Sequence, residues 1–217
     1  LRRWPDMLLA NAELGDHPAQ LPFSAAFAIQ EEKYEGNWKE THFSPGMGTS
    51  PYDGWQSGWV GGGMATLPLL VDGNSVSQAR AATNLDWLVG PGQAPSGWFY
   101  GIIHEGRSYG DGFGRPGTER WLLTRKSADV LYFLAKQILA KPDHPSVVAW
   151  RAGLQGCAEA MARTWRAHGE LGQFIDHDSG VVLVPGSAAG AIAPAGLALA
   201  AGILGRSDFL TLADEMA

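Results

Sequence analysis

Trp59-Val-Gly-Gly-Gly-Met-Ala-Thr-Leu-Pro-Leu-Leu-Val71 is an uncharged apolar run, closed by Asp72-Gly73 and followed at once by Asn74-Ser75. It reads as a short helix with a stop signal, and a second helix opens directly behind it. Ser75 and Gln78 have the spacing of a capping box. Val76, Ala79, Ala82, Leu85 and then Leu88 or Val89 keep helical spacing until Gly90-Pro91-Gly92 ends the run. Two helices joined so tightly form an antiparallel hairpin. The same pattern recurs. Trp121 to Ala140 carries Ala128, Leu131, Leu134 and Ile138 on one face and stops at Lys141-Pro142. Ser146 to Gly169 carries Val147, Trp150, Leu154, Cys157, Met161 and Trp165. Gln173 to Val184 has strand character around an Asp178-Ser179-Gly180 turn, which predicts a small β-hairpin. An Ala-rich helix from Ser187 to Gly205 follows, and Ser207 caps another that is still running at Ala217.

The predicted fold is therefore all-α, a series of antiparallel helical hairpins with that one β-hairpin. It forms a single domain over 1–217, in which 1–57 is irregular and loop-rich and 58–217 holds the hairpins. Connections near 73, 141–145 and 205 are short, whereas those at 90–120 and 169–186 are long. Every second connection of an up-down series falls at the same end, so the long loops at 36–58, 90–121 and 169–187 gather on one face, where function is expected. Each hairpin with its loop takes roughly 65 residues, and a closed ring of six would need roughly 390. The chain holds little more than three, which points to a fragment, a nicked product, or half of an assembly completed by a missing segment or a second chain.

Composition narrows the partners. The chain has 217 residues with 45% hydrophobic and 18% charged, so it can bury a core. A net charge of −6 without a basic run removes the electrostatic footprint of a nucleic-acid binder. The uncharged stretch Ser187 to Gly205 is mostly Ala and Gly with Pro194 inside, too weakly apolar for a membrane span. Cys157 is the single cysteine, which excludes an intrachain disulfide and any Cys-x-x-Cys site. The chain opens at Leu1 with no charged-then-apolar leader, so a signal peptide is absent or removed. Periplasmic, secreted and cytoplasmic locations all stay open. Thirteen of the 22 aromatic residues fall between Tyr34 and Trp121, among glycine-rich loops of a kind that line a ligand.

Three stretches resemble the six-hairpin glycosidase superfamily, the (α/α)6 toroids. Gly58 to Gly73 looks like an inner helix with its turn, and Leu85-Asp-Trp-Leu88 like an outer-helix end. Ser96-Gly-Trp-Phe-Tyr-Gly101 leads to Arg125-Lys-Ser-Ala-Asp-Val-Leu-Tyr-Phe-Leu-Ala-Lys136, like an inner helix opening with substrate-facing residues. The resemblance covers residues 36–217. It implies part of a toroid and a glycoside hydrolase acting on an oligo- or polysaccharide through paired carboxyl groups, one acid and one base or nucleophile. No family's catalytic pair maps onto the chain. The candidates are carboxylates of the loop face: Glu105 after Trp98-Phe-Tyr100, Asp111 between glycines, and Asp53 beside Trp55. Aromatic walls raise a carboxyl pKa by desolvation. Glu119, Asp176 and Asp178 lie on the same face.

Substrate contacts are expected from Trp55, Trp59, Trp98, Tyr100 and Tyr109, whose rings offer apolar area to the C–H face of a sugar. His104, Asp176 and His177 are candidates for hydrogen bonds to sugar hydroxyls, and Arg107 and Arg125 for a guanidinium fork onto a carboxylate. His104-Glu105 and Asp176-His177-Asp178 contain ligand types without the spacing of a metal motif, so no metal and no cofactor are expected. Gly61-Gly62-Gly63 is not a nucleotide-binding pattern. Two other readings remain: a noncatalytic sugar-binding domain, and a lyase or epimerase using His and Tyr for proton transfer at carbon.

Overall fold

The computed structural model describes residues 23–48, 51–58, 60–112 and 114–217. The chain divides into two compact units, 1–36 and 37–217. In the first, the described part is helix α1 (Phe23–Gly36). The second opens with a two-stranded antiparallel ribbon, β1 (Trp38–Lys39) and β2 (His42–Phe43), followed by β3 (Trp55–Gln56).

Three successive glycines resist helix formation, so the apolar run at 59–71 becomes helical only at α2 (Thr66–Asp72). Two buried amides hold the glycine turn: Asn84 Nδ2 donates to the Gly61 carbonyl at 3.0 Å, and Gln137 Nε2 to the Gly63 carbonyl at 2.9 Å. Asn84 Oδ1 also accepts from the Phe43 N–H at 3.2 Å. One side chain of helix α3 (Ser75–Val89) thus fixes the β1–β2 ribbon against that helix.

The cap of α3 is Asn74, not Ser75: its Oδ1 accepts from Val76 N and Ser77 N at 2.9 and 3.1 Å. Ser77, Ala81, Asn84, Leu85 and Leu88 are buried, and Val76 is 52% exposed. After the long loop come β4 (Ile102–His104), β5 (Arg107–Tyr109), β6 (Trp121–Leu123), α4 (Thr124–Ala140), α5 (Val147–His168), β7 (Phe174–Asp176), β8 (Val182–Val184), α6 (Ala193–Leu204) and α7 (Ser207–Met216).

Helices pair in sequence, α2 with α3, α4 with α5 and α6 with α7. Across the pairs, α4 packs between α2 and α6, and α5 between α3 and α7. The core lies between these two rows, with Leu131, Leu134, Trp150, Leu154, Cys157 and Met161 fully buried. Burial of an aliphatic side chain of this size stabilises by about 1.5–3 kcal/mol each. Among the described residues no helix is long and apolar enough to cross a membrane.

The all-α expectation, helical hairpins from an (α/α)6 toroid with one small β-hairpin, is overturned. The described residues hold seven helices and eight strands in three small antiparallel sheets, a mixed α and β architecture. The β7–β8 hairpin is present, and β6 extends it to three strands, Leu122 opposite Ile175. Trp121–Leu123, read as the start of a helix, is that third strand, because a short continuous apolar run has no period that separates helix from strand. In the sheet β3-β4-β5, the pairing of β3 with β4 joins residues 46 or more positions apart, Trp55 opposite Ile103 and Gln56 opposite Ile102. Long loops do converge. Ser96 Oγ donates to the His177 carbonyl at 2.5 Å, His177 N to the Arg120 carbonyl at 3.0 Å, and Asp111 N to the Trp121 carbonyl at 2.7 Å.

Candidate functional site

The sheet β3-β4-β5 organises the site. Side chains alternate across a strand, so the facing pair Ile103 and Ser108 turns to one side of the sheet and the pair Ile102 and Tyr109 to the other. On the first side lies a cavity of ≈ 640 Å³, lined by Lys39, His42, Asp53, Trp87, Tyr100, Ile103, His104, Glu105 and Ser108. That volume lies in the range of small-molecule sites.

Asp53 and Glu105 reach this cavity from the turns that flank the paired strands: Asp53 lies two residues before Trp55 of β3, and Glu105 directly follows His104 of β4. Gly54 permits the approach: a Cβ there would lie 2.9 Å from the His104 Cβ and would collide with the Ile103 carbonyl. Asp53 is fixed by Ser44, whose Oγ donates at 2.9 Å, and by the Gly48 N–H at 3.2 Å; Lys39 Nζ lies 3.9 Å away. The Ser44 hydrogen bond foremost, with smaller help from Gly48 and Lys39, holds the Asp53 carboxyl below its ordinary range. It is an ionised group, suited to act as a base or nucleophile.

Glu105 occupies the turn between β4 and β5. Its φ is 49° and that of Gly106 is 72°, the two left-handed positions of a type I′ hairpin turn. Gly and Asn fill these positions easily, whereas a glutamate there is strained by about 1–2 kcal/mol. Such strain is commonest at functional sites. The Glu105 side chain is 82% exposed, with Oε1 3.8 Å from His104 Nε2. It stands at the rim of the cavity.

The aromatic wall is Trp87, half-buried in the last turn of α3, with Trp55 packed behind it at 4.6 Å and His42 beside it at 4.9 Å. His42 Nδ1 is 3.1 Å from Thr41 Oγ1. Burial, reinforced by Lys39, lowers the His42 pKa and keeps its ring neutral. Burial, and then the Asp178 charge, raises that of Tyr100, which remains a phenol.

Four of the sequence-derived residues therefore meet in one cavity: Asp53, Tyr100, His104 and Glu105. Others do not. Asp111 is 2% exposed and locked, with Oδ1 2.6 Å from Lys126 Nζ and Oδ2 accepting from Leu123 N at 2.8 Å. Both oxygens of that carboxylate are thus held by the protein itself. Trp55 and Trp98 are 0% and 1% exposed, so neither ring has a face left for a sugar. Trp59 lies outside the described residues. Tyr109 belongs to the opposite side of the sheet, Arg107 is exposed on β5, and Arg125 pairs with Asp129 at 3.6 Å on α4.

Asp176 is a structural hub, accepting from Arg120 at 2.7 Å and from Asp178 N, Ser179 N and Ser179 Oγ. Burial alone would push its carboxyl up, but these hydrogen bonds outweigh it and hold the pKa down. His177 is buried behind Tyr100, ring edge to ring face at 4.9 Å, with Nδ1 2.8 Å from Asp178 Oδ1. Sequence reasoning missed Lys39, His42 and Trp87 as site residues. The only signal was a Trp one turn before Gly90-Pro91-Gly92; the ribbon bearing Lys39 and His42 is too short to show a period. Among the described residues no group of three His, Cys, Asp or Glu could hold a metal ion. No protein-family profile matches the chain, and no curated protein matches it at a significant level.

Proposed function

We propose that the chain acts on carbohydrate and cleaves a glycosidic bond, with Asp53 as the ionised base or nucleophile and Glu105 as the acid. One observation carries this reading: two carboxyl groups, from the turns beside the paired strands β3 and β4, line a single cavity with the Trp87 ring. Hydrolysis of a glycoside uses such a pair, and an aromatic ring beside it suits the apolar face of a sugar. The strained backbone of Glu105 supports a role that the turn alone would not demand.

A second reading has its own observation. A neutral His42 and a protonated Tyr100 line the same cavity, a base and an acid fit for moving a proton at carbon, as a lyase or epimerase requires. Product chemistry separates the two. Incubation of the chain with a panel of polysaccharides releases reducing ends without ultraviolet absorbance if the first holds. An unsaturated uronate absorbing in the ultraviolet, or an inverted sugar without cleavage, supports the second. Binding with no product of either kind leaves a sugar-binding domain and refutes both.

A further inference from the structure

The opposite side of the β3-β4-β5 sheet lines a second cavity, of ≈ 320 Å³, between Tyr52, Ile102, Tyr109, Thr118 and the rim residues Arg115 and Glu119. We propose that it is a second carbohydrate subsite, which takes a neutral pyranose ring of a longer substrate. The proposal rests on the reading that the first cavity cleaves a glycoside.

Three observations carry it. First, the floor and walls have the chemistry of a sugar platform: the buried Ile102 side chain below, and two half-buried tyrosines at the sides. A phenol hydroxyl can both donate and accept a hydrogen bond, as contact with ring hydroxyls requires. Second, the rim carries one cation and one anion, and Glu119 Oε1 accepts from Gly117 N at 3.0 Å. That balance favours a neutral ring over a charged one. Third, the cavity is built onto the catalytic candidate. Gly54 N donates to the Pro51 carbonyl at 3.0 Å, closing a turn in which Tyr52 serves the second cavity and its neighbour Asp53 serves the first. Gln56 Nε2 donates to the Tyr52 carbonyl at 2.8 Å and fixes that turn to the sheet. On β5 the adjacent Ser108 and Tyr109 divide in the same way. An oligosaccharide passing over the exposed β4–β5 turn would place a ring on each side of the sheet.

The test titrates neutral cello-, xylo- and manno-oligosaccharides, from disaccharide to hexasaccharide, into the full chain carrying Glu105→Gln, by calorimetry. The expected result is tighter binding of the hexasaccharide than of the disaccharide for at least one series. Tyr52→Ala should weaken the hexasaccharide about tenfold, the scale of one lost aromatic contact, and leave the disaccharide unchanged. Arg115→Ala, at an exposed side chain, provides the same comparison if Tyr52→Ala does not fold. Equal effects on long and short sugars, no effect on either, or no binding in any series overturns the proposal. The cleavage reading fails separately: length-dependent binding lost in Tyr52→Ala, with no reducing ends released by the unsubstituted chain, refutes cleavage and keeps the subsite.

Discussion

Glu105→Asn should make the chain more stable while removing its activity. Glu105 and Gly106, with φ of 49° and 72°, form the centre of the β4–β5 turn, and Asn-Gly is the preferred pair for a type I′ turn. Asparagine accepts left-handed backbone with little strain, so the substitution relieves about 1 kcal/mol. The interaction lost is the approach of Oε1 to His104 Nε2, 3.8 Å on a side chain 82% exposed, which contributes little in water. For a chain of this size the gain raises Tm by about 2–4 °C. The assay is differential scanning calorimetry beside a turnover assay on the responsive polysaccharide. Turnover should fall by roughly 10²–10⁴, the contribution of one general acid. Glu105→Gln should abolish turnover equally and leave Tm unchanged, because glutamine keeps the strain. A Tm for Glu105→Asn that stays level or falls, or turnover that survives, refutes the argument that backbone strain is tolerated here for function.

The remaining predictions concern what holds the cavity. Lys126→Met should destabilise by about 3–5 kcal/mol in urea unfolding, because it leaves the Asp111 carboxylate, 2% exposed, without its cation; Asp111→Asn in the same chain should recover part of the loss. Ser44→Ala should move the acid limb of the rate profile upward in pH, because Ser44 is the first cause of the lowered Asp53 pKa. The stability that Asp53 contributes is present above about 3.9, the unfolded value, and is lost as pH falls through its lower folded value, so the variant should also gain in relative stability below that window. His42 has a folded pKa below its unfolded one, so its contribution is present above about 6.5 and is lost as pH falls; His42→Gln should flatten the decline of Tm between about pH 6.5 and 5.

The helices were legible where their signals are local and long. Ser146 to Gly169 shows an apolar stripe over several turns and ends at Gly169, whose φ of 70° makes the left-handed helix end expected of glycine. The β7–β8 hairpin was legible through Asp178-Ser179-Gly180. What stayed hidden was non-local. Strands of two or three residues carry no readable period, and nothing near Trp55 announces that its partner is Ile103. The candidate site suffered for the same reason. Asp53 and Glu105 each stand out in the sequence only by their own neighbours, and only the pairing of β3 with β4 brings their turns to one cavity. Aromatic position misled in the other direction. Trp55 and Trp98 stand in glycine-rich loops, but a large apolar ring in such a loop finds its best burial underneath it. Trp87, inside a helix, was left half-exposed at the cavity instead. Asp111 looked like a loop carboxylate because Lys126, its partner, is fifteen residues away.

The central claim is that Asp53 and Glu105 work as one unit in the cavity they share. A rate cycle tests it most directly, comparing the chain with Asp53→Asn, Glu105→Gln and the two together on a substrate that it cleaves. Groups acting on the same step are strongly non-additive, so the double variant should be no slower than the slower single variant. Losses that multiply, or a single variant that keeps the full rate, would contradict the claim.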